Sequence, residues 1–438
     1  MIKIMKRDQV RCVVGLLILC AFLLVLSGCD PIYDSAISYI DATTDVEELS
    51  DETIDTIVDN VVNCMTLNEQ VGQLFIIDLK MMDTSVKSIK GKSLTKKQKK
   101  SLRLYPVGGI VLYSSDIKNR EQLTRLLANL QEESELELFI CVDEEGGEVS
   151  RVSSNKNMKT TAFPSMYTVG KAGDVKRAYE VGATLGKDLK KLGINVDFAP
   201  VTDVAALTDD MQFVSEEIGE RSYGSDAQLV SQMVAGQVQG MTEEGLCATL
   251  KHFPGQGSAS SDTHTSAANI SKTITELREC DFLPFRAGIK KGAQFIMMSH
   301  EGVNAITGDS TPACMSSLIV QDILREELKF SGIVITDAMN MVSITGQYTS
   351  KEAAVNCLNA GVDMILMPED LEEAYNGILD AVADNTLSRD RIKEAAKRVI
   401  KCKIKQGILP LTSEFVVDAS QNSYDSYHEI GEQENQKK

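Results

Sequence analysis

The sequence predicts an α/β fold, a (β/α)8 barrel of the TIM type, and three observations carry the prediction. Short apolar runs recur eight times along the chain, amphipathic segments separate many of them, and chemically able polar residues stand directly after several runs. The last observation matters because barrel active sites form at the C-terminal ends of strands. A parallel sheet would therefore gather Asp143, Asp203, Lys251, His252, Ser299, His300 and Asp337 into one place.

The predicted strands are Gln73–Asp78, Gly109–Tyr113, Leu138–Asp143, Asn195–Ala199, Cys247–Leu250, Gln294–Ser299, Gly332–Asp337 and Asp363–Met367. Most are continuously apolar rather than alternating, as strands covered on both faces must be. Helical periodicity is clearest over Asp174–Leu192, Ala227–Glu244, Thr275–Lys291 and Ser317–Leu328. A doubly wound open sheet is the competing architecture. No G-x-G-x-x-G follows the first strand, so a dinucleotide-binding version has little support.

Before the barrel stands a leader, residues 1–28. Lys3, Lys6, Arg7 and Arg11 precede an apolar stretch from Val13 to Leu26, and Leu26-Ser27-Gly28-Cys29 closes it. This ending resembles the bacterial lipobox, which implies cleavage before Cys29 and lipid on its sulfur. An ordinary signal peptide or an uncleaved anchor is the alternative. Residues 29–59 follow; Asp30 to Asp59 holds ten acids without Lys or Arg, and reads as a solvated linker with some helical period from Val46 to Val62. The barrel is assigned to 60–409, and 410–438 is a polar, acidic tail. A basic run from Lys87 to Arg103 reads as a solvated helix face plus loop, or as a contact for anionic cell-wall polymer.

Composition narrows the partners. The 438 residues carry a formal charge of -18, which speaks against nucleic acid, since phosphate neutralisation needs a Lys/Arg excess. Past the leader no apolar run reaches the ~20 residues that span a bilayer. Trp is absent, so an aromatic platform for a sugar must be Tyr or Phe. Cys64, Cys141, Cys247, Cys280, Cys314, Cys357 and Cys402 are scattered, with no Cys-x-x-Cys pair, and read as buried free thiols rather than a disulfide framework or zinc site.

Three segments carry the chemistry. Lys251-His252-Phe253-Pro254-Gly255 leads through a Gly/Ser-rich loop to Asp262-Thr263-His264. The chain has four His, and two of them are here. Asp262 and His264, two apart, can face one side of an extended loop, where a carboxylate orients an imidazole and raises its pKa for proton transfer. Gly332 to Ala338 ends a strand-forming run in Asp337, either a nucleophile at the barrel mouth or a helix N-cap. Val142-Asp143-Glu144-Glu145-Gly146-Gly147 supplies an acid able to accept bonds from sugar hydroxyls; its spacing does not match an EF-hand calcium loop.

Together these segments resemble glycoside hydrolase family 3, in its β-N-acetylglucosaminidase branch, from Met65-Thr66-Leu67 to about Ile408. Asp143-x-Glu145-Gly146-Gly147 with Arg151 is similar to the family's sugar-binding loop. Gly219-Glu220-Arg221-Ser222-Tyr223-Gly224 is similar to the motif whose Arg contacts substrate. Lys251-His252 resembles the pair that holds ring hydroxyls, Asp262-Thr263-His264 the dyad of this branch, and Thr336-Asp337-Ala338-Met339 the nucleophile strand. Glu144 stands where the family usually has Gln, Glu148 where it often has Arg, and Gln256 where it often has His.

The resemblance implies a retaining β-N-acetylhexosaminidase of a single barrel. Asp337 would be the nucleophile and His264, paired with Asp262, the acid/base. Asp143, Arg151, Arg221, Lys251 and His252 would bind the terminal N-acetylglucosamine. It implies no metal or other cofactor and an aminosugar glycan of muropeptide or chitin type as substrate; with the lipobox-like leader, the expectation is a monomer exported and anchored at the cell membrane through Cys29. An N-acetylglucosaminide phosphorylase and a non-catalytic sugar-binding lipoprotein remain the alternatives.

Overall fold

The structure is a computed structural model that describes residues 49–83, 85, 93–259 and 268–411. The leader, Cys29, the Asp262-Thr263-His264 segment and residues 412–438 lie outside the described residues, as does part of the basic run.

Eight parallel strands close into a barrel: β1 (Phe75–Asp78), β2 (Gly109–Leu112), β3 (Phe139–Val142), β4 (Val196–Asp197), β5 (Cys247–Phe253), β6 (Phe295–Met298), β7 (Ile333–Ala338) and β8 (Met364–Leu366). Each pairs with its neighbours in sequence, and β1 closes on β8 with Phe75 opposite Ile365. All eight predicted strands are present; most are shorter than predicted, β5 runs on through Lys251-His252-Phe253, and β7 is shifted by one residue. Their two faces are covered: β1, β2, β3 and β5 are buried at every residue. That burial is why each reads as an unbroken apolar run.

Two predicted elements differ from what the structure shows. The helix over Thr275–Lys291 is two helices, Ile274–Glu279 and Phe282–Lys290. Pro284 is the cause: its ring would clash with the carbonyl of Cys280 in a continuous helix, whereas the first turn of a new helix tolerates it. The domain boundary drawn at residue 60 also moves. The compact unit runs from Leu49 to Pro410, so 49–59 is part of it and not linker. Asp51–Cys64 is a helix, capped by Ser50, that buries Ile54, Ile57, Val58, Val61 and Val62 on one stripe. Three of its acids face lysines of the last helix, Arg389–Lys405: Asp51 with Lys405 at 2.8 Å, Asp59 with Lys397 at 2.7 Å, and Asp55 with Lys401. Within the basic run, Lys96–Leu104 is a helix begun by a Thr95/Gln98 capping box, and Lys99 reaches Glu133 at 2.6 Å.

All seven cysteines of the barrel are free thiols, and Cys141, Cys247, Cys314 and Cys357 are buried. Among the described residues no helix is long and apolar enough to cross a membrane.

Candidate active site

At the C-terminal end of the barrel lies a cavity of about 650 Å3. Every strand end lends it a residue: Asp78, Tyr113, Asp143, Phe198, Lys251, Met297, Asp337 and Met367. Closure of the sheet does this, since the eight strands all point the same way and end around one mouth.

Asp337 is the next-to-last residue of β7. Its Oδ1 accepts the N–H of Ala338 at 2.7 Å, and its Oδ2 lies 3.9 Å from His252 Nε2. Burial would push this carboxyl up, but the cationic His252 and His300 outweigh it and hold Asp337 below its usual value. It therefore stands in the cavity as an anion with a single short hydrogen bond. His252 is oriented from behind by Asp203, whose Oδ2 receives both the backbone N–H, at 3.1 Å, and the ring Nδ1, at 2.8 Å. Burial would lower the imidazole's pKa, and Asp203 and Asp337 raise it instead. Asp203 is itself fixed, because its Oδ1 accepts the Gln256 N–H at 2.6 Å.

Lys251 and His252 are neighbours on β5, and pleat alternation would send one of them away from the mouth. The peptide between them is cis, the register with β6 shifts between Lys251 and Phe253, and both side chains line the cavity.

Glu145 organises the opposite wall. It forms two hydrogen bonds with Arg221, at 2.8 and 2.9 Å, and an ion pair with Lys251 at 2.6 Å. Burial would raise its carboxyl, but Arg221 and Lys251 hold it far below the carboxylate range. Lys251 also reaches Asp143 Oδ1 at 2.8 Å. Burial alone would lower this ammonium, and Asp143 and Glu145 raise it, so it stays charged. The turn that delivers Glu145 needs Gly146 and Gly147, at φ +97° and +61°, where a side chain would be strained. Arg151 lies with its guanidinium carbon 5.9 Å from the Tyr113 ring centroid, and its buried Nε has no partner.

The structure thus brings Asp337, Asp143, Arg151, Arg221, Lys251 and His252 to one cavity; Asp262 and His264 fall outside the described residues. Sequence reasoning placed Glu145 in the sugar-binding loop and Asp203 among the strand-end residues, but not as the groups that pin Arg221 and Lys251, and His252. Glu145 stood inside the Gly-Gly motif and Asp203 after β4, so both were visible, but their function lies in contacts with residues far along the chain. Glu144 does not line the cavity. Its carboxylate accepts the N–H of Val152 at 2.6 Å, the N–H of Ser153 at 3.1 Å and the Ser153 hydroxyl, so it braces the loop that carries Arg151. Gln256 likewise braces, donating to Glu217 at 2.9 Å.

A closed (β/α)8 barrel with an ionised carboxylate at the end of β7, and a ring of cations and acids suited to vicinal hydroxyls, is the architecture of a glycoside hydrolase. Residues 66–402 match the glycosyl hydrolase family 3 N terminal domain, and the chain belongs to that family. The beta-hexosaminidase A of Pseudoalteromonas piscicida is 29% identical over 376 residues, covering 78% of this chain and 61% of that protein. The chain therefore spans about three fifths of that relative's length. A beta-hexosaminidase of Stenotrophomonas maltophilia is 32% identical over 298 residues, 66% of this chain and 85% of its own. The structure of a glycoside hydrolase family 3 beta-N-acetylglucosaminidase from Paenibacillus superimposes with a TM-score of 0.72 at 30% identity, covering 82% of this chain and 69% of that one.

Proposed function

We propose that this protein is a retaining β-N-acetylhexosaminidase that removes terminal, non-reducing N-acetylglucosamine from aminosugar glycans. One observation carries the reading: the Asp337 carboxylate, with one short hydrogen bond and His252 3.9 Å away, lines the same cavity as the Asp143–Lys251–Glu145–Arg221 network. In the first step an Asp337 oxygen bonds to the anomeric carbon as the glycosidic C–O bond breaks, and the leaving oxygen takes a proton from His264. In the second step water gives a proton back to His264 and displaces Asp337, restoring the configuration at the anomeric carbon. Asp262 orients His264 for both transfers. The family-like dyad motif and the names of the relatives support this assignment. The two acids nearest Asp143 in sequence are otherwise engaged, Glu144 with the 152–153 backbone and Glu145 with Arg221 and Lys251.

Lys251 and Asp143 offer a donor and an acceptor 2.8 Å apart, the arrangement that grips two adjacent ring hydroxyls. Arg221 and the unpartnered Nε of Arg151 add donors, and Tyr113 and Phe198 supply apolar ring surface in a chain without Trp. The lipobox-like leader supports an anchor at Cys29 facing the cell wall, with muropeptide or chitin-type oligosaccharide as the glycan and a monomeric enzyme acting on it.

The test is covalent trapping. An activated, fluorinated N-acetylglucosaminide should leave its sugar on the peptide that contains Asp337, read by mass spectrometry. An adduct on another residue, or an aryl β-glucoside cleaved as fast as the aryl β-N-acetylglucosaminide, overturns the reading.

A further inference from the structure

Glu301 follows His300 just beyond β6. It is completely buried, and among the described residues neither Oε1 nor Oε2 has a partner in good hydrogen-bond geometry. The other buried acids with an unpaired oxygen, Asp116, Asp197 and Asp281, each keep the second oxygen bonded: to the Tyr113 N–H, the Glu144 N–H and Lys272. Among the described residues Glu301 alone has both free. A carboxylate left so is costly, and its retention needs a physical reason.

Its surroundings supply one. The backbone fixes its place, because Ala313 N–H donates to the Glu301 carbonyl at 2.8 Å and Gly302 N–H to Ala268 at 3.0 Å. Ser299, two residues back, has a buried hydroxyl near the Glu301 carboxyl; it favours the anion but falls outside good hydrogen-bond geometry. The ionisable groups facing Glu301 are His252 at the end of β5 and His300 beside it; both favour its anion. Behind His300 stands Cys314, from the turn Ala313–Met315, with Sγ 3.6 Å from Nδ1. Beyond both imidazoles is Asp337, on β7. His252 has a full counter-charge in Asp203 at 2.8 Å. Among the described residues His300 has no carboxylate at that range: its Nε2 donates to the Ala338 carbonyl at 3.0 Å, and its Nδ1 faces the Cys314 Sγ, a thiol that Cys357 and His300 draw down and that raises His300 in turn.

We propose that Glu301 is a positioning residue of the active site, whose gain and loss of a proton sets the charge that His252 and His300 present to Asp337. This rests on the reading of Asp337 as nucleophile. Burial pushes the Glu301 carboxyl up to about 7, while the His300 imidazole, which burial would lower, is raised to about 9 by Cys314, Asp337 and the Ala338 carbonyl. Below neutral pH Glu301 is uncharged. Above it the anion forms and keeps both imidazoles cationic to higher pH. Those cations stabilise Asp337 as the carboxylate that departs when the glycosyl-enzyme is hydrolysed, so the alkaline side of turnover depends on Glu301.

The experiment is an NMR titration of the imidazoles, practical because the chain has four His. In wild type the His300 resonance should show a second, smaller step near pH 7, where Glu301 ionises. In Glu301→Gln that step should vanish, any step that remains belonging to Cys314 at 3.6 Å from Nδ1, and His252 and His300 should lose their protons about 1 pH unit earlier. The alkaline limb of kcat should move down with them at unchanged KM. Glu301→Asp should recover part of the shift. A single-step His300 curve in wild type overturns the proposal without any variant, and so do imidazoles that titrate alike in wild type and Glu301→Gln. Sugar trapping separates the two readings. An adduct away from Asp337 sinks the nucleophile assignment, whereas an adduct on Asp337 with unmoved imidazoles sinks this one.

Discussion

At the base of the barrel Asp363, directly before β8, is enclosed by Arg325, Arg391 and Arg398 at 2.5–2.9 Å and by the Val334 N–H at 3.0 Å. At the mouth Asp337, at the end of β7, has one short hydrogen bond and an imidazole at 3.9 Å. Both carboxyls are held below their usual values against burial, one by three guanidiniums and the other by two imidazoles. The difference lies in what remains to be bonded. Asp363 has its acceptor capacity filled, so its charge ties β7, β8 and the last helix together and can do nothing else. Asp337 keeps acceptor capacity open toward a cavity. Saturation by fixed donors marks a structural charge, and an ionised group left under-coordinated marks a reactive one.

Exchanging the two acids for neutral residues should separate these roles most sharply. Asp337→Ala should lower kcat/KM by more than about a hundredfold, ~2.7 kcal/mol of barrier, with thermal stability unchanged or raised. Asp363→Ala should strand three arginines and cost ~3–5 kcal/mol of stability, the scale for breaking a buried ion pair. Melting curves and kinetics on the same preparations decide. A stable Asp363→Ala, or an Asp337→Ala that is folded and active, would collapse the distinction. The pH dependence follows the same signs. The contribution of Asp363 is present above the unfolded carboxyl pKa and is lost as pH falls through its depressed folded value, so acid should loosen the base of the barrel.

His264→Ala extends the comparison to a residue outside the described part of the chain. Loss of acid–base help should cost ~10²–10⁴-fold on unactivated glycosides. A dinitrophenyl glycoside needs no protonation of its leaving group, so Asp337 should still become glycosylated and the intermediate should accumulate. Azide, which needs no base, should restore turnover as the β-azide. Equal loss on both substrates with no azide effect would pass the role to another group. Glu145→Gln sits between the two ends in character, since Glu145 is saturated like Asp363 yet lines the cavity. It should weaken the hold on Arg221 and Lys251 by about 1–3 kcal/mol, appearing mainly in KM.

The same contrast explains what could be read from the sequence. All eight strands were legible because burial on both faces leaves an uninterrupted apolar run. The residues at the strand ends were legible because a parallel barrel has one mouth. The start of the domain was not: Asp51, Asp55 and Asp59 look like part of a solvated acidic stretch, and only the fold reveals lysines 397, 401 and 405 opposite them. Glu145 and Asp203 were visible as motif and strand-end residues but not for what they pin, and Glu301 was not visible at all, because pairings between side chains far apart in the chain have no local signature. Pro284 did announce the helix break, through a rule about position i−4 that periodicity alone overrides.

The smallest expected effect is at the base, at Lys403. Its side chain is completely buried beneath the barrel, with Nζ 2.7 Å from Gln73 Oε1 and 5.1 Å from the Phe139 ring centroid. Unlike Lys251 at the mouth, it has no carboxylate within ion-pair distance among the described residues, and burial lowers its pKa to about 7. The two buried lysines are thus opposites: acids keep Lys251 charged, and desolvation discharges Lys403. A base whose folded pKa is depressed costs stability as pH falls from its unfolded value, near 10.4, through the folded one, because the native state must exclude or bury a proton that the unfolded chain binds freely. Lys403→Met keeps the length and removes that linkage. It should therefore raise stability at pH 7 by ~1–2 kcal/mol after loss of the Gln73 bond, with little gain at pH 10.5. Activity should not change, since Lys403 is at the far end of the barrel from Asp337. Urea unfolding at the two pH values measures the gain. An equal change at both would mean that Lys403 is not discharged by burial, and that the base of the barrel keeps its lysine charged as the mouth does.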